Sequence, residues 1–100
     1  MTRQKWKQYA AAMAAVPTIL LILKHGQYVA INDGALLLRR YCRLPIKEYR
    51  AGPIYARAAF DPAALRYVTG ELIGNACAWR IVRYDPERKD YAKAQKKLIE

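Results

Sequence analysis

The pattern of apolar and polar positions is clearest in residues 18–32, where it predicts a β-hairpin. Thr18 to Lys24 is a continuous aliphatic and β-branched run, typical of a strand buried on both faces. His25-Gly26 follows, and Gly26 supplies the positive φ that a short hairpin turn requires. Gln27 to Asn32 then alternates as a second strand does. Its outer face comprises Tyr28, Ala30 and Asn32, and its core-facing residues are Val29 and Ile31.

One helix is predicted before this hairpin and another after it. The first begins at Thr2 and ends before Pro17, since the residue before a proline is disfavoured in helical conformation. Its apolar stripe comprises Trp6, Tyr9, Ala10, Met13 and Ala14. The second is expected to be capped by Asp33 and to cover Gly34 to about Arg43.

The second half of the chain predicts three further strands and two helices. The strands are expected at 46–50, which is short or merely extended, and at 54–60 and 76–84. Asp61-Pro62 marks the start of a helix that ends near Ile73. Gly70 within that helix costs roughly 1 kcal/mol in helix propensity, which predicts that a close packing contact requires it.

The predicted order is therefore α-β-β-α-β-β-α-β-α, an α/β fold with a mixed β-sheet and flanking helices. Residues 1–85 form one domain in this prediction. Residues 86–100 are rich in Lys and Ala, and are predicted to form a basic C-terminal helix or tail.

Charge changes the functional picture more than composition does. With 54% hydrophobic and 26% charged residues, the 100-residue chain has the composition of one folded domain. Eighteen Lys and Arg stand against eight Asp and Glu, which gives a formal net charge of +10. More than half of the basic residues are Arg, whose planar guanidinium suits bidentate contact with phosphates. This balance favours nucleic acid or an acidic protein as partner.

Residues with catalytic chemistry are sparse. His25 is the only histidine and lies at the predicted hairpin turn, with neither cysteine near it in sequence. Asp33, Asp61 and Asp85 are each interpreted as helix caps or turn residues, which leaves no paired carboxylates for acid–base catalysis. We therefore expect a non-enzymatic protein with no catalytic residues, no metal, no cofactor and no small-molecule substrate.

Two further features bear on the cellular compartment. Cys42 and Cys77 fit no metal-ligand spacing and lie among apolar neighbours, which predicts buried free thiols in a reducing cytoplasm. The basic residues 1–8 and the apolar residues 9–23 resemble the first regions of a signal peptide. Pro17 divides that apolar run and no small-x-small cleavage site follows it, so we expect neither secretion nor a membrane span.

The motifs, taken in order, resemble the N-terminal mismatch-recognition domain of the DNA mismatch-repair ATPase MutS. The corresponding pieces are Gln8-Tyr9, the strand 19–24, Gly26-Gln27-Tyr28-Val29-Ala30, Asp33-Gly34-Ala35, Gly52-Pro53-Ile54-Tyr55, the helix 67–73 and Cys77-Ala78. Each motif is weak alone, and their collinearity over residues 6–84 carries the resemblance. No phosphate-binding loop of the Gly-x-x-x-x-Gly-Lys-Ser/Thr type occurs, so ATP hydrolysis is not expected.

The resemblance implies a DNA-contacting role for the hairpin. In the family, a Phe-x-Glu motif wedges its aromatic ring into the duplex, and the glutamate hydrogen-bonds the displaced base. Tyr28 stands at the aromatic position and keeps a ring that can stack. Ala30 stands at the glutamate position, so recognition of a mismatch through that hydrogen bond is not expected.

The sequence thus predicts a nucleic-acid-binding module that contacts DNA, or alternatively RNA, without sequence choice. The predicted contact residues are Tyr28, Lys24, Arg39, Arg40, Arg57 and Arg80, with the basic ones expected near one surface. One alternative is that Tyr28 is an edge-strand residue that packs on a helix, for instance against Tyr41. The chain would then be an interaction module, encoded for example by a phage or mobile element, whose basic surface binds an acidic protein.

Overall fold

A computed structural model describes residues 16–100, and the helix predicted before Pro17 lies outside this range. The described residues form an α/β fold with a mixed five-stranded sheet and three α-helices, as the sequence predicts for the fold class. The elements in chain order are β1 (Thr18–Lys24), β2 (Gln27–Ile31), α1 (Asp33–Cys42), β3 (Lys47–Glu48), β4 (Ala56–Phe60), α2 (Leu65–Gly74), β5 (Ala78–Arg83) and α3 (Tyr91–Ile99). A short 3₁₀ turn, Pro62–Ala64, leads into α2.

The strands lie in the order β3-β4-β2-β1-β5. Only β1 and β5 are parallel, and their register runs from Thr18 opposite Ala78 to Leu23 opposite Arg83. The other neighbouring strands are antiparallel. This order places β1 and β2 inside the sheet, and β5 forms the edge beyond β1. Tyr28 is therefore not an edge-strand residue, and that part of the alternative interpretation is wrong.

The turn between β1 and β2 has the predicted chemistry. His25 and Gly26 both have positive φ, 50° and 76° respectively, as a type I′ hairpin turn requires of its two central residues. Lys24 and Gln27 close the hairpin as a cross-strand pair. Residues near in sequence therefore determine this turn.

The sheet buries both of its faces, which we call face 1 and face 2. Face 1 is covered by α1 and α2, and its buried sheet residues are Ile19, Leu21, Ala30, Ala56, Ala58 and Phe60. Face 2 packs against α3, and its buried sheet residues are Leu20, Ile22, Val29 and Ile31, which join Tyr91 of the helix. The expectation that only Val29 and Ile31 of β2 point to the core is therefore wrong, since Ala30 is fully buried on the opposite face.

The start of α1 differs from the prediction in which residue anchors it. Asn32 rather than Asp33 is the N-cap residue, with φ 54°. Its carboxamide accepts a hydrogen bond from Tyr55 N–H at 2.7 Å and donates one to the Pro53 carbonyl at 3.0 Å. Asp33 instead accepts a hydrogen bond from the Tyr55 hydroxyl. The polar residues at this end of β2 therefore join the helix to the loop before β4.

Two glycines in helices have opposite surroundings. A Cβ on Gly70 would meet no heavy atom within 4 Å, so the predicted packing contact at this position is absent. A Cβ on Gly34 would overlap Oε1 of Gln95 and lie 3.3 Å from Cγ2 of Ile19. The close approach of the Gln95 side chain therefore favours glycine at position 34, whereas no neighbouring atom favours glycine at position 70.

The buried side chain of Gln95 joins the helix α3 to the sheet. Gln95 is fully buried, its Oε1 accepts a hydrogen bond from Leu20 N–H at 2.7 Å, and its Nε2 donates one to the Thr18 carbonyl at 2.9 Å. These two backbone groups of β1 are those that a neighbouring strand would pair with. Residues 86–100, which the sequence predicts as a helix or tail outside the domain, therefore contribute side chains to the core of the domain.

Both cysteines are free and buried, as predicted. Burial, and secondarily the Cys42 thiol, raises the pKa of Cys77 to about 11. Burial also raises the pKa of Cys42, with a smaller contribution from the charge of Glu71. Since the thiolate is the reactive form, both groups are poor nucleophiles at neutral pH.

Candidate nucleic-acid interface

Tyr28 lies on face 1, where its ring packs against the aromatic ring of β4. It stands opposite Phe60 in the strand register, and the two ring centroids are 5.4 Å apart at an interplanar angle of 29°. Its packing partner is therefore Phe60 on the neighbouring strand, and the ring is half-buried. Aromatic pairs at this spacing stabilise a fold beyond their buried area. The ring has a structural role whether or not it also contacts a ligand.

Ala30 offers no surface to a ligand. It shares face 1 with Tyr28 but is fully buried beneath α1, in the cluster that contains Ala58 and Leu38. In the Phe-x-Glu arrangement implied by the resemblance, both side chains reach one base step. Here the second position of that pair lies in the core, so the two positions do not form one contact surface.

The five basic candidates do not lie on one surface, which corrects the sequence prediction. Lys24, Arg57 and Arg80 share face 2 with its core residues and project on that side of the sheet. Arg39 and Arg40 are exposed in the last turn of α1, the helix that covers face 1. The sheet therefore separates the first three cations from the last two. Tyr28 belongs with the α1 pair and lies opposite the larger group.

Most of the basic side chains lack an acidic partner. In residues 16–100, only two salt bridges form, Arg88 Nε to Asp90 Oδ1 at 2.5 Å and Lys96 Nζ to Glu100 Oε1 at 3.6 Å. The hydrogen bond from Arg88 lowers the pKa of Asp90 and raises that of Arg88. The remaining described Lys and Arg residues project positive charge into solvent, which favours binding of a polyanion.

Positive charge is concentrated in a concave site between β5 and α3. A groove of about 430 Å³ has an apolar floor that includes Leu20, Val82 and Leu98. Four cationic side chains and one carboxylate line it, which gives a net charge of +3. The charged groups are Arg80, Arg88, Lys93, Lys97 and Asp90. We call this the β5–α3 groove.

Beside this groove, two tyrosines and two cations form a continuous series of contacts. Arg88 Cζ lies 4.8 Å from the centroid of the Tyr91 ring. The Tyr91 ring stacks on Tyr84 at 6.0 Å between centroids, and Lys24 Nζ lies 4.2 Å from the centroid of the Tyr84 ring. Tyr91 is buried, whereas Tyr84 is 39% exposed. An exposed ring thus stands between cations on face 2.

A second, smaller concavity of about 110 Å³ continues on the same face. Lys24 and Arg57 border it together with Tyr84 and Tyr91, over a floor of Ile22, Val29 and Ile31. Tyr84 and Tyr91 therefore connect it with the β5–α3 groove through Arg88. Three of the predicted cations, Lys24, Arg57 and Arg80, line one or the other of these two concavities.

Tyr84 and the basic residues of α3 are not among the contact residues that the sequence predicts. Strand alternation already places Arg80, Val82 and Tyr84 on one face of β5, which was the available signal. The position of α3 against that face depends on Gln95, a contact between residues distant in sequence. Lys93 and Lys97, one helical turn apart, therefore could not be assigned to the groove beforehand.

Other kinds of site find little support in residues 16–100. No group of three or more His, Cys, Asp or Glu side chains is arranged to hold a metal ion there. Within the same residues, no helix has the length and apolar character needed to cross a membrane.

Comparison with known proteins adds no assignment. No model of a known protein family matches this chain, and no curated protein is significantly similar to it.

Proposed function

We propose that this chain is a non-enzymatic nucleic-acid-binding module whose affinity comes mainly from the cations of face 2. The observation that carries the proposal is the excess of unpaired basic side chains. The net charge is +10, yet only two salt bridges form within residues 16–100. Like charges held together by a fold repel one another, and a polyanion relieves that repulsion. DNA, or alternatively RNA, has this charge density.

The resemblance of the collinear motifs to the MutS N-terminal domain also supports the proposal. The hairpin β1–β2 carries the aromatic position, α1 follows directly, and α2 leads into β5. The motifs on which the resemblance rests occur in this order along the family's sequence. The free, buried thiols are consistent with the reducing cytoplasm that such a module would occupy.

Binding in this proposal depends on phosphate contacts and shape rather than on reading a mismatched base. The position of the family's glutamate is Ala30, which is both apolar and fully buried. Phosphate contacts made by Lys and Arg give affinity without sequence choice.

The test is titration of labelled duplex and single-stranded DNA with the purified protein, followed by fluorescence anisotropy at several salt concentrations. The association constant should fall steeply between about 50 and 200 mM salt. Binding releases counterions from the phosphates, and this release is less favourable at higher salt. A flat salt response, or no binding at low salt, contradicts the proposal.

A specific observation also favours the alternative, an interaction module for an acidic protein. Ile73 and Tyr67 on α2 are 68% and 52% exposed, the two largest exposed fractions among the large apolar residues of the described part of the chain. An acidic protein would combine contact with these residues and with basic neighbours such as Arg66. Tyr67→Ser with Ile73→Ser should leave DNA binding unchanged if nucleic acid is the partner. Loss of DNA binding by a folded double variant would contradict the assignment to face 2.

A further inference from the structure

We infer that the two concavities of face 2 form one track for single-stranded nucleic acid, with phosphates in the β5–α3 groove and a base stacked on Tyr84. This inference rests on the proposed function and names the strand form and the residues that bind it. It goes beyond the hairpin contact implied by the resemblance, since neither Tyr84 nor α3 belongs to that contact.

The shape and charge of the groove suit a phosphate backbone. Arg80, Lys93 and Lys97 line it without a carboxylate within salt-bridge distance among residues 16–100, whereas Arg88 is paired with Asp90. The apolar floor beneath them limits screening by water, which strengthens the attraction of a bound anion. A bound phosphodiester would neutralise part of the net charge of +3 and reduce the repulsion among the three cations.

The exposed ring of Tyr84 supplies the contact that distinguishes nucleic acid from a simple anion. It stacks on Tyr91, which fixes the ring before a ligand arrives and lowers the entropic cost of stacking. Lys24 Nζ lies over the ring, 4.2 Å from its centroid, so a base that stacks there takes the place of this ammonium, which is then free to pair with a phosphate. Arg80 and Tyr84 are four residues apart along one extended face of β5 and its end, so about 13 Å separates them. That separation lets successive phosphates and a base of one strand contact both residues.

A single strand fits this arrangement better than a duplex does. The aromatic ring and the cations line two concavities on face 2, one of them between α3 and β5. In a single strand the bases are free to stack on a side chain while the backbone follows a basic groove. In a duplex the bases are already stacked on one another.

The first experiment compares two triple variants of equal charge in anisotropy titrations with a short labelled oligothymidylate. Arg80→Gln with Lys93→Gln and Lys97→Gln removes the groove cations. Arg39→Gln with Arg40→Gln and Arg66→Gln removes three exposed cations from α1 and α2, on the other side of the sheet. At about 0.1 M salt the groove variant should bind roughly 100-fold more weakly, and its salt slope should fall by about 2. The control variant should lose much less affinity and keep most of the slope.

The second experiment tests the stacked base with single substitutions. Tyr84→Phe keeps the ring and its contact with Tyr91, so binding should be unchanged. Tyr84→Ala should weaken binding by between about fivefold and 150-fold, the usual range for loss of one stacked base. Thermal unfolding of both variants shows whether a loss of binding reflects a loss of folded protein.

The outcomes separate the inference from the proposed function. If the wild-type protein binds no nucleic acid at low salt, both fail. If it binds but both triple variants weaken binding equally, the track and the assignment of affinity to face 2 are wrong, whereas the nucleic-acid-binding function stands. Tighter binding to a duplex of matching length overturns the choice of a single strand. Displacement of the oligonucleotide by inorganic tripolyphosphate, with unchanged binding in folded Tyr84→Ala, identifies a simple anion site and also overturns it.

Discussion

Gly34 and Gln95, sixty-one positions apart, lie so close that a side chain at position 34 would overlap the Gln95 carboxamide. A Cβ at Gly34 would overlap Gln95 Oε1 and stand only 3.0 Å from its Cδ. The same Oε1 accepts the hydrogen bond from Leu20 N–H. The first turn of α1 therefore leaves the space in which the carboxamide of α3 pairs with β1. The absence of one side chain thus helps to hold the groove-forming helix on face 2.

Gly34→Ala should destabilise the protein, although alanine favours helices by roughly 1 kcal/mol over glycine. The new methyl group displaces the Gln95 carboxamide, and the buried Leu20 N–H and Thr18 carbonyl lose their partner. Each unsatisfied buried group costs about 1–3 kcal/mol, so after the gain in helix propensity the free energy of unfolding should fall by about 1–5 kcal/mol. Urea denaturation measures it.

The matched control for this experiment is Gly70→Ala, also in a helix and with no heavy atom near the new Cβ. It should raise the free energy of unfolding by about 0.5–1 kcal/mol. Equal stability of the two variants would show that the carboxamide moves aside without loss.

Gln95→Glu should make stability strongly dependent on pH. A protonated carboxyl group can accept from Leu20 N–H and donate to the Thr18 carbonyl, whereas a carboxylate repels that carbonyl. Burial and this repulsion raise the pKa of the introduced group in the folded state above its unfolded value of about 4.3. The variant should be most stable, relative to the wild type, below that unfolded pKa. Its stability should fall as pH rises through the folded pKa.

Gln95→Leu provides the comparison that has no titrating group. It fills a similar volume but leaves both backbone groups of β1 unpaired, so its destabilisation should be independent of pH. Urea denaturation at a series of pH values measures both variants. Parallel pH profiles for Gln95→Glu and the wild type would contradict the double hydrogen bond.

Secondary structure and turns could be predicted from the sequence, whereas contacts between distant residues could not. The bounds predicted for β1 agree with the structure, because a run of β-branched and aliphatic residues leaves few alternatives. The turn at His25-Gly26 follows equally from the conformational freedom of two adjacent residues. By contrast, Gln95 is a polar residue one turn after Tyr91 on a basic helix, where sequence gives no sign of burial. Its partners lie seventy-five and seventy-seven positions away.

The candidate site shows the same division. Alternation along β1, β4 and β5 assigns Lys24, Arg57 and Arg80 to faces, but the sequence does not state which faces coincide. That depends on the strand order β4-β2-β1-β5, which pairs strands distant in sequence. The α1 arginines were grouped with them on charge alone. The structure therefore divides the residues of the predicted interface between two faces.

The hydroxyl of Tyr55 should titrate at unusually high pH. Burial first, and then its hydrogen bond to Asp33, raises its pKa from 10.0 to about 12. Because the folded pKa exceeds the unfolded one, the neutral phenol stabilises the fold fully below about pH 10. This contribution is lost as pH rises from 10 towards 12. The difference in phenolate absorbance between wild type and Tyr55→Phe isolates this group among the eight tyrosines.

Asp33→Asn removes the negative charge while leaving an oxygen that accepts the hydrogen bond. The pKa of Tyr55 should then fall towards its ordinary value, with the burial contribution retained. No change in that pKa would show that the hydroxyl does not contact Asp33 in solution.

Ala30→Glu tests whether the family's acidic position is usable in this chain. Ala30 is fully buried on face 1, within a cluster of apolar residues. An uncompensated buried charge costs about 3–5 kcal/mol, so most of the folded state should be lost at neutral pH. Circular dichroism at neutral and acidic pH measures this, with partial recovery expected as the carboxylate is protonated. A fully folded variant at neutral pH would show that position 30 is accessible.

Tyr28→Ala separates the hairpin contact from packing, provided that stability and binding are measured together. Loss of the stacking on Phe60 should lower the free energy of unfolding by about 0.5–1.5 kcal/mol beyond the lost area. If the ring also wedges into DNA, affinity should fall by roughly 1–3 kcal/mol. That loss should be larger on bulged or mispaired duplex, where opening the stack is easier. Tyr28→Phe keeps the ring and should retain both properties. Unchanged affinity of folded Tyr28→Ala on every substrate would restrict Tyr28 to packing, and the cations of face 2 would then carry binding without a Tyr28 wedge.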